Sequence, residues 1–301
     1  MARARDEIRI AGVRLTSPDR VLFAGQGITK RDLALYYEAI AEWMLPQLAG
    51  RLLTLLRCPA GEQTECFVQR RASENFPEAV RRVEVAQEDG TVTYVMVDSL
   101  PGLLSLVQLG VLELHTWSAR RDRLDRPDRM ILDLDPDPEL PWTRVVESAR
   151  EVRDRLTELG LESFVKTTGG KGLHVVVPLE RRHSWDEVRD FSHALAEKLV
   201  RRSPARYVAQ AAKVERSGKI YVDYLRNAWG ASAVAAYSTR ARSGAPVSTP
   251  LRWEELGPTR PETFTLKELP ARLTGLREDP WAGYTSVRQR IARAMREAVK
   301  A

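Results

Sequence analysis

The sequence predicts an α+β fold, with a mixed or antiparallel sheet flanked by helices. Two observations carry this reading. Segments of helical period alternate with segments of strand period, and hairpins interrupt that alternation at residues 163–178 and 219–238. A purely parallel, doubly wound sheet would not contain such hairpins. The length agrees, because 301 residues suffice for one large domain or two lobes around a real core. Hydrophobic residues make up 43% and charged residues 29%, the balance of an ordinary globular chain.

Each element follows from a local pattern. Residues 7–16 alternate (Ile8, Ile10, Val13, Leu15) as a short strand or hairpin, and Ser17-Pro18-Asp19-Arg20 is a turn. Thr29 caps a helix in which Leu33, Leu35, Tyr36, Ile40, Trp43 and Met44 recur at helical spacing. Strands are expected over 51–58, 66–71, 91–97 and 112–117, with a helix from Ser99 to about Leu109. A charged loop, 120–129, delivers the chain to an apolar strand ending in Asp133 and Asp135. An amphipathic helix then begins at Pro141-Trp142, with Val145, Val146, Ala149, Val152, Leu156 and Leu159 near one face and Gly160 at its end. Strands at 163–168 and 173–178 flank the tight turn Gly169-Gly170-Lys171-Gly172, and a helix covers 184–202. Strands follow at 219–227 and 230–237, then a loop over 241–262. Thr265 opens a short helix to about Leu273, and a basic helix runs from about Ser286 to Val299. There is no internal repeat and no low-complexity tract.

Composition narrows the function. A net charge of +6 and a pI near 9.4 favour a polyanionic partner, most simply nucleic acid. Cys58 and Cys66 come without a spaced Cys/His set, so no structural zinc site is expected, and two lone thiols fit a reducing cytosol. No apolar run reaches membrane-spanning length, and the start Met1-Ala2-Arg3-Ala4-Arg5-Asp6 lacks the core of a signal peptide.

The chemistry centres on carboxylates. In a strand, Asp133 and Asp135 point to one face together with Ile131. Such a pair repels itself unless a cation, typically a hard divalent metal, sits between; the bland alternative is a loop-capping pair before the Pro136 turn. Asp223 is a charge inside an apolar strand, costly unless metal-bound or paired with Arg226, Lys219 or Arg240. The turn Thr168-Gly169-Gly170-Lys171-Gly172 lets backbone N–H groups converge on an anion, with Lys171 adding charge and Thr168 a hydroxyl. It is not a Walker A loop, since Gly172 and a strand follow the lysine. Three carboxylates beside a phosphate cradle are what two-metal phosphoryl or nucleotidyl transfer requires.

Other positions stay open on residue type alone. Arg20 and Lys30 flank a helix start and form either an anion site or two solvated cations. Phe67, beside Arg70 and Arg71, either stacks on a base or belongs to the core. His115 alternates with Glu113 and Trp117, as a structural strand histidine commonly does. Two rival functions remain. A haloacid-dehalogenase-type phosphatase also places Asp-x-Asp after an apolar strand, but in a parallel sheet and with Thr or Val after the pair, where this chain has Pro136-Asp137. A non-catalytic DNA-end-binding scaffold leaves Asp223 and the glycine turn unexplained.

Ile131-Leu132-Asp133-Leu134-Asp135-Pro136, Thr168-Gly169-Gly170-Lys171-Gly172-Leu173-His174 and Val222-Asp223-Tyr224-Leu225-Arg226-Asn227, in this order, closely resemble the three motifs of the polymerase module of bacterial DNA ligase D, of the archaeo-eukaryotic primase superfamily. Leu15 to Phe23, Thr29-Lys30 and Glu113 to Trp117 support the likeness, which runs from about residue 7 to 295. The resemblance implies one primase-like catalytic domain over 1–301, two-lobed. An N-terminal part would cover about 1–115, the catalytic sheet about 112–240 and C-terminal helices about 250–299.

The activity it implies is nucleotide addition to DNA 3′ ends, templated in gaps and untemplated, in non-homologous end joining. Ribonucleotides and manganese would be preferred, with magnesium the alternative for two divalent cations; de novo RNA priming is the alternative activity. By motif, Asp133, Asp135 and Asp223 would hold the metals. Thr168, Lys171, His174 and Arg240 would contact the triphosphate, and His115 the incoming ribose near its 2′-OH. Arg20 and Lys30 would bind the 5′-phosphate of gapped DNA, and Phe67 would stack on the template. Arg216 and Arg226 would hold primer or nucleotide. Thr168 departs from the usual Ser but keeps the hydroxyl. Expected partners are DNA ends, nucleoside triphosphates, ligase and phosphoesterase modules of a parent protein, and a Ku-type end-binding protein. Neither of those modules shows a signature here, so an excised module or a stand-alone relative is expected, in the bacterial cytoplasm at the nucleoid.

Overall fold

A computed structural model describes residues 7–87 and 90–300. The hexapeptide examined for a signal sequence lies outside the described residues. The chain forms two compact units, each discontinuous in sequence: 1–117 with 234–248 and 262–276, and 118–233 with 249–261 and 277–301.

In the first unit, four antiparallel strands run in the order Val111–Trp117, Leu53–Arg57, Gly90–Met96 and Arg81–Gln87. Phe67–Gln69 also pairs with Leu53–Arg57, setting Phe67 opposite Arg57. That register explains a correction. Cys58 follows Arg57 and Cys66 precedes Phe67, so the two thiols meet across the turn and form a disulfide rather than standing alone. The helix expected from Thr29 is two, Lys30–Ala39 and Ala41–Leu48, broken at Ile40. Thr29 caps the first reciprocally: its hydroxyl accepts from the Asp32 N–H, and the Asp32 carboxylate accepts from the Thr29 N–H. The helix expected from Thr265 instead spans Leu269–Gly275.

In the second unit, six strands run in the order Tyr207–Val208, Ile220–Asp223, Arg129–Pro136, Leu173–Pro178, Phe164–Thr167 and Pro250–Leu251. All pairs are antiparallel except Tyr207–Val208 with Ile220–Asp223. Leu173–Pro178 is buried along its whole length, as a continuous apolar run between Gly172 and Pro178 demands. Helices Trp142–Glu158 and Trp185–Arg202 pack on this sheet. Ile131, Phe164, Val176, Ala233 and Trp281 form an apolar cluster, and by strand alternation Asp133 extends the same sheet face that Ile131 and Val176 line.

Two boundaries differ from expectation. The strand read over 219–227 ends at Asp223, and Leu225–Asn227 turns as a 3-10 helix. The last helix is only Arg293–Lys300. Upstream of it the backbone is recruited elsewhere, since Glu180 N–H donates to the Gln289 carbonyl and the Gln289 amide reaches Pro178 O.

Candidate active site

Strand register assembles a polar row across four adjacent strands. Lys166 lies opposite His174, His174 opposite Asp133, and Asp133 opposite Asp223. All four are buried. Arg226 closes the row: its Nε lies 3.1 Å from Asp133 Oδ2 and 3.1 Å from Asp223 Oδ2. The salt bridge considered for Asp223 is thus made, and with Arg226. His174 Nε2 is 3.4 Å from Asp133 Oδ1, while His174 Nδ1 is buried with no hydrogen-bond partner among the described residues.

The charges follow from this packing. Burial raises the Asp133 carboxyl, but His174, Arg226 and Lys166 more than offset that and hold it well below the ordinary carboxylate range. Burial raises Asp223 above its ordinary value, with Arg226 opposing and Asp133 adding. Burial and then Lys166 push the His174 ring down to about 4, so it is neutral at pH 7. Asp133 is thus well matched by Arg226 and Lys166, whereas among the described residues Asp223 has only the shared guanidinium, so it is Asp223 that still calls for positive charge.

Asp135 stands apart, one step along the strand and opposite Tyr221. Its side chain is 57% exposed and meets Arg216 Nη1 at 3.3 Å; Arg216 also lies over the Tyr221 ring. Among the described residues no group of three or more His, Cys, Asp or Glu side chains stands ready to hold a metal ion.

The glycine turn adjoins this row. The Thr168 N–H and hydroxyl both donate to Gly172 O at 3.1 Å, closing the loop. A Cβ on Gly172 would stand 2.5 Å from Leu134 O, so only glycine lets the turn approach the Asp133 strand this closely. Lys171 is exposed and reaches the Pro138 carbonyl.

Two residues in this unit escaped the sequence reading. Lys166 looked like an ordinary strand lysine; its two-residue offset from Thr168, on the hairpin opposite His174, was the available signal. Asn227 clamps the Ile131 backbone, accepting from its N–H and donating to its carbonyl, both at 2.8 Å. It thereby fixes the turn that carries Arg226.

In the first unit, Glu113 gathers two predicted residues. His115 Nε2 is 2.8 Å and Arg240 Nε 2.9 Å from Glu113 Oε2, and the Ala241 N–H donates to Oε1. Burial opposes ionisation of Glu113, yet His115, Arg240 and that amide bring it down to about 2. Glu113 was the missed partner, signalled by its position two residues before His115 on one strand face. Lys30 is 4% exposed, not a solvated cation; its Nζ donates to Thr16 O at 2.9 Å. Burial and then Arg20 lower its pKa. Arg20 is exposed and donates to Pro59 O. Phe67 is 45% exposed, not a core residue, and Arg57 lies over its ring.

The antiparallel pairing on both sides of Arg129–Pro136 removes the phosphatase alternative, which needs a parallel central strand. Residues 29–281 match the family model of the LigD primase-polymerase domain. The chain is 45% identical to the multifunctional non-homologous end joining protein LigD of Pseudomonas aeruginosa, over 95% of this chain and 34% of that protein. It is 34% identical to LigD of Mycolicibacterium smegmatis, over 82% of this chain and 33% of that protein. It therefore spans about a third of the length of these relatives. A solved structure of the polymerase domain from Mycobacterium tuberculosis ligase D in complex with DNA matches with a TM-score of 0.84 at 30% identity, over 91% of this chain and 98% of that one.

Proposed function

The chain belongs to the LigD primase-polymerase domain family, and from that premise we propose that it is a nucleotidyltransferase extending DNA 3′ ends in non-homologous end joining. It fills gaps against a template and also adds nucleotides without one. The observation that supports this most is the cross-strand pair Asp133 and Asp223 sharing one guanidinium beside a glycine turn pressed against the same strand.

The carboxylate oxygens suit hard divalent cations; two of them, manganese in preference to magnesium, belong to the proposal by the family resemblance. Asp133, Asp135 and Asp223 offer carboxylate oxygens, and Arg226 and Arg216 lie against them as stand-in cations. When bound, such cations would lower the pKa of the attacking 3′-hydroxyl and offset charge building on phosphorus. Arg226, with a side chain 40% exposed, would withdraw from the carboxylates towards primer or nucleotide. The neutral His174 ring keeps Nδ1 without a partner among the described residues and would meet the triphosphate together with Thr168, Lys171 and the turn amides. Glu113 would hold His115 towards the ribose 2′-OH and Arg240 towards phosphate. Phe67 would stack on the template, and Arg20 and Lys30 would take the 5′-phosphate of a gap.

Among the described residues no helix is long and apolar enough to cross a membrane; the cytoplasm at the nucleoid is the proposed setting. Ligase and phosphoesterase modules and a Ku-type protein are the proposed partners. The test is extension of a labelled primer on gapped, blunt and primer-free DNA with ribo- and deoxyribonucleotides. Extension of gapped DNA, lost in Asp223→Asn, is expected; undiminished extension by that variant would refute the assignment.

A further inference from the structure

We propose that the second unit carries a second nucleic-acid site, a cavity that binds the phosphodiester backbone at the other end of the Asp133 strand. The cavity, about 820 Å³, is lined by Arg120, Arg123, Arg126, Arg181, Arg182 and Arg288. Asp128 and Pro178 also line it. Arg129 pairs with Pro178 just as Asp133 pairs with His174, so the cavity begins four residues, about 13 Å, back along the strand.

Six arginines face two lining carboxylates, Asp128 and Glu180. Some are paired: Arg120 with Asp128, Arg182 with Glu180, Arg126 with Asp125, Arg181 with Asp122. A surface merely laced with ion pairs would stop there. Arg123 makes no ion pair among the described residues, and Arg288 bonds only the backbone carbonyls of Thr285 and Val287. Arg123 and Arg288 are therefore the strongest indication: two guanidinium groups on the cavity wall that no carboxylate among the described residues neutralises.

The chemistry selects phosphate. All six cations are arginine, whose planar fork matches phosphate oxygens two at a time. Leu179, Val287 and Tyr284 add apolar surface, the combination of a charged groove with an aromatic that single strands use. Proteins of net charge +6 attract polyanions broadly, and here two unneutralised guanidinium groups, Arg123 and Arg288, share one concavity. This site does not rest on the polymerase reading, and its test reads binding rather than nucleotide addition.

The test compares the full chain with an Arg123→Ala/Arg288→Ala variant, which leaves every ion pair named above intact. Binding of a fluorescent single-stranded oligonucleotide is followed across a salt series, with a photo-crosslinking residue in place of Thr285 as a second readout. Two lost phosphate contacts predict a salt slope shallower by about 1.4 and several-fold weaker binding, and crosslinking at position 285 to the oligonucleotide. Unchanged slope and affinity without crosslinking would overturn the site. In a parallel arm, tripolyphosphate binding is measured by calorimetry. Tripolyphosphate binding lost in the variant, with oligonucleotide binding and slope unchanged, would overturn the nucleic-acid assignment in favour of a small polyphosphate.

Discussion

Glu113, His115 and Arg240 in one unit, and Asp133, His174 and Arg226 in the other, are the same three side-chain types held on strands and the turns beside them. Their charge balance is opposite. In the first set one carboxylate receives an imidazole, a guanidinium and a backbone N–H, and its pKa falls to about 2. In the second, two carboxylates divide one guanidinium, one of them is pushed up, and the imidazole is driven neutral. Glu113 is fully paired, whereas in the second set only Asp133 is held ionised and Asp223 stays above its ordinary value; on the proposed function Asp223 is where a cation would be recruited, and Glu113 would hold His115 and Arg240 in place.

The sharpest way to break the comparison is to remove one acid from each set. Asp133→Ala should abolish primer extension, a loss of roughly 10³-fold or more since metal-borne charge stabilisation is worth several kcal/mol, with Asp223 left as the partner of Arg226 so that the protein still folds. Glu113→Gln should do the reverse in kind. It removes the charge that Arg240 faces and costs about 3 kcal/mol of stability, as breaking a buried pair does, read by urea unfolding. Extension at low temperature should survive better than in Asp133→Ala. The pH dependence follows the same logic. The folded pKa of Glu113 lies below its ordinary 4.5, so its contribution is complete above that pH and is lost as pH falls towards 2. Glu113→Gln should flatten that part of an acid-unfolding curve.

Smaller effects sharpen the picture. Gly172→Ala must move the turn off Leu134 O, an overpacking cost of about 1–3 kcal/mol; a raised KM for nucleotide together with a lowered melting temperature is the expected signature. Phe67→Ala should weaken template binding by about 1–3 kcal/mol without altering untemplated addition. His115→Ala should shift preference away from ribonucleotides, measured as the ratio of ribo- to deoxyribonucleotide incorporation.

Much of this site was legible because its residues break local rules. Asp133 and Asp223 are charges in apolar strands, and Gly169 to Gly172 interrupt a hairpin; such violations mark function. The partners that obey the rules were not legible. Lys166 and Glu113 occupy plausible strand positions; register brings Lys166 to His174, while Glu113 meets His115 on one face of the same strand. The strand Arg81–Gln87 was missed because it is an edge strand, largely exposed and charged, without the apolar alternation that identifies a half-buried one. The last helix was read too long because its periodicity continues upstream, where a backbone bond from Glu180 N–H to the Gln289 carbonyl and a side-chain bond from Gln289 Nε2 to Pro178 O override it. The disulfide was hidden for a similar reason: spacing alone does not reveal that Arg57 faces Phe67.

The most direct measurement is manganese binding, followed by the electron paramagnetic resonance of the free ion, in the wild-type chain and in Asp223→Asn. The carboxylate pair predicts saturable binding that weakens at least about tenfold when one acid is neutralised, a loss of about 1.4 kcal/mol or more, in parallel with loss of extension. Equal manganese affinity in the two proteins would contradict it.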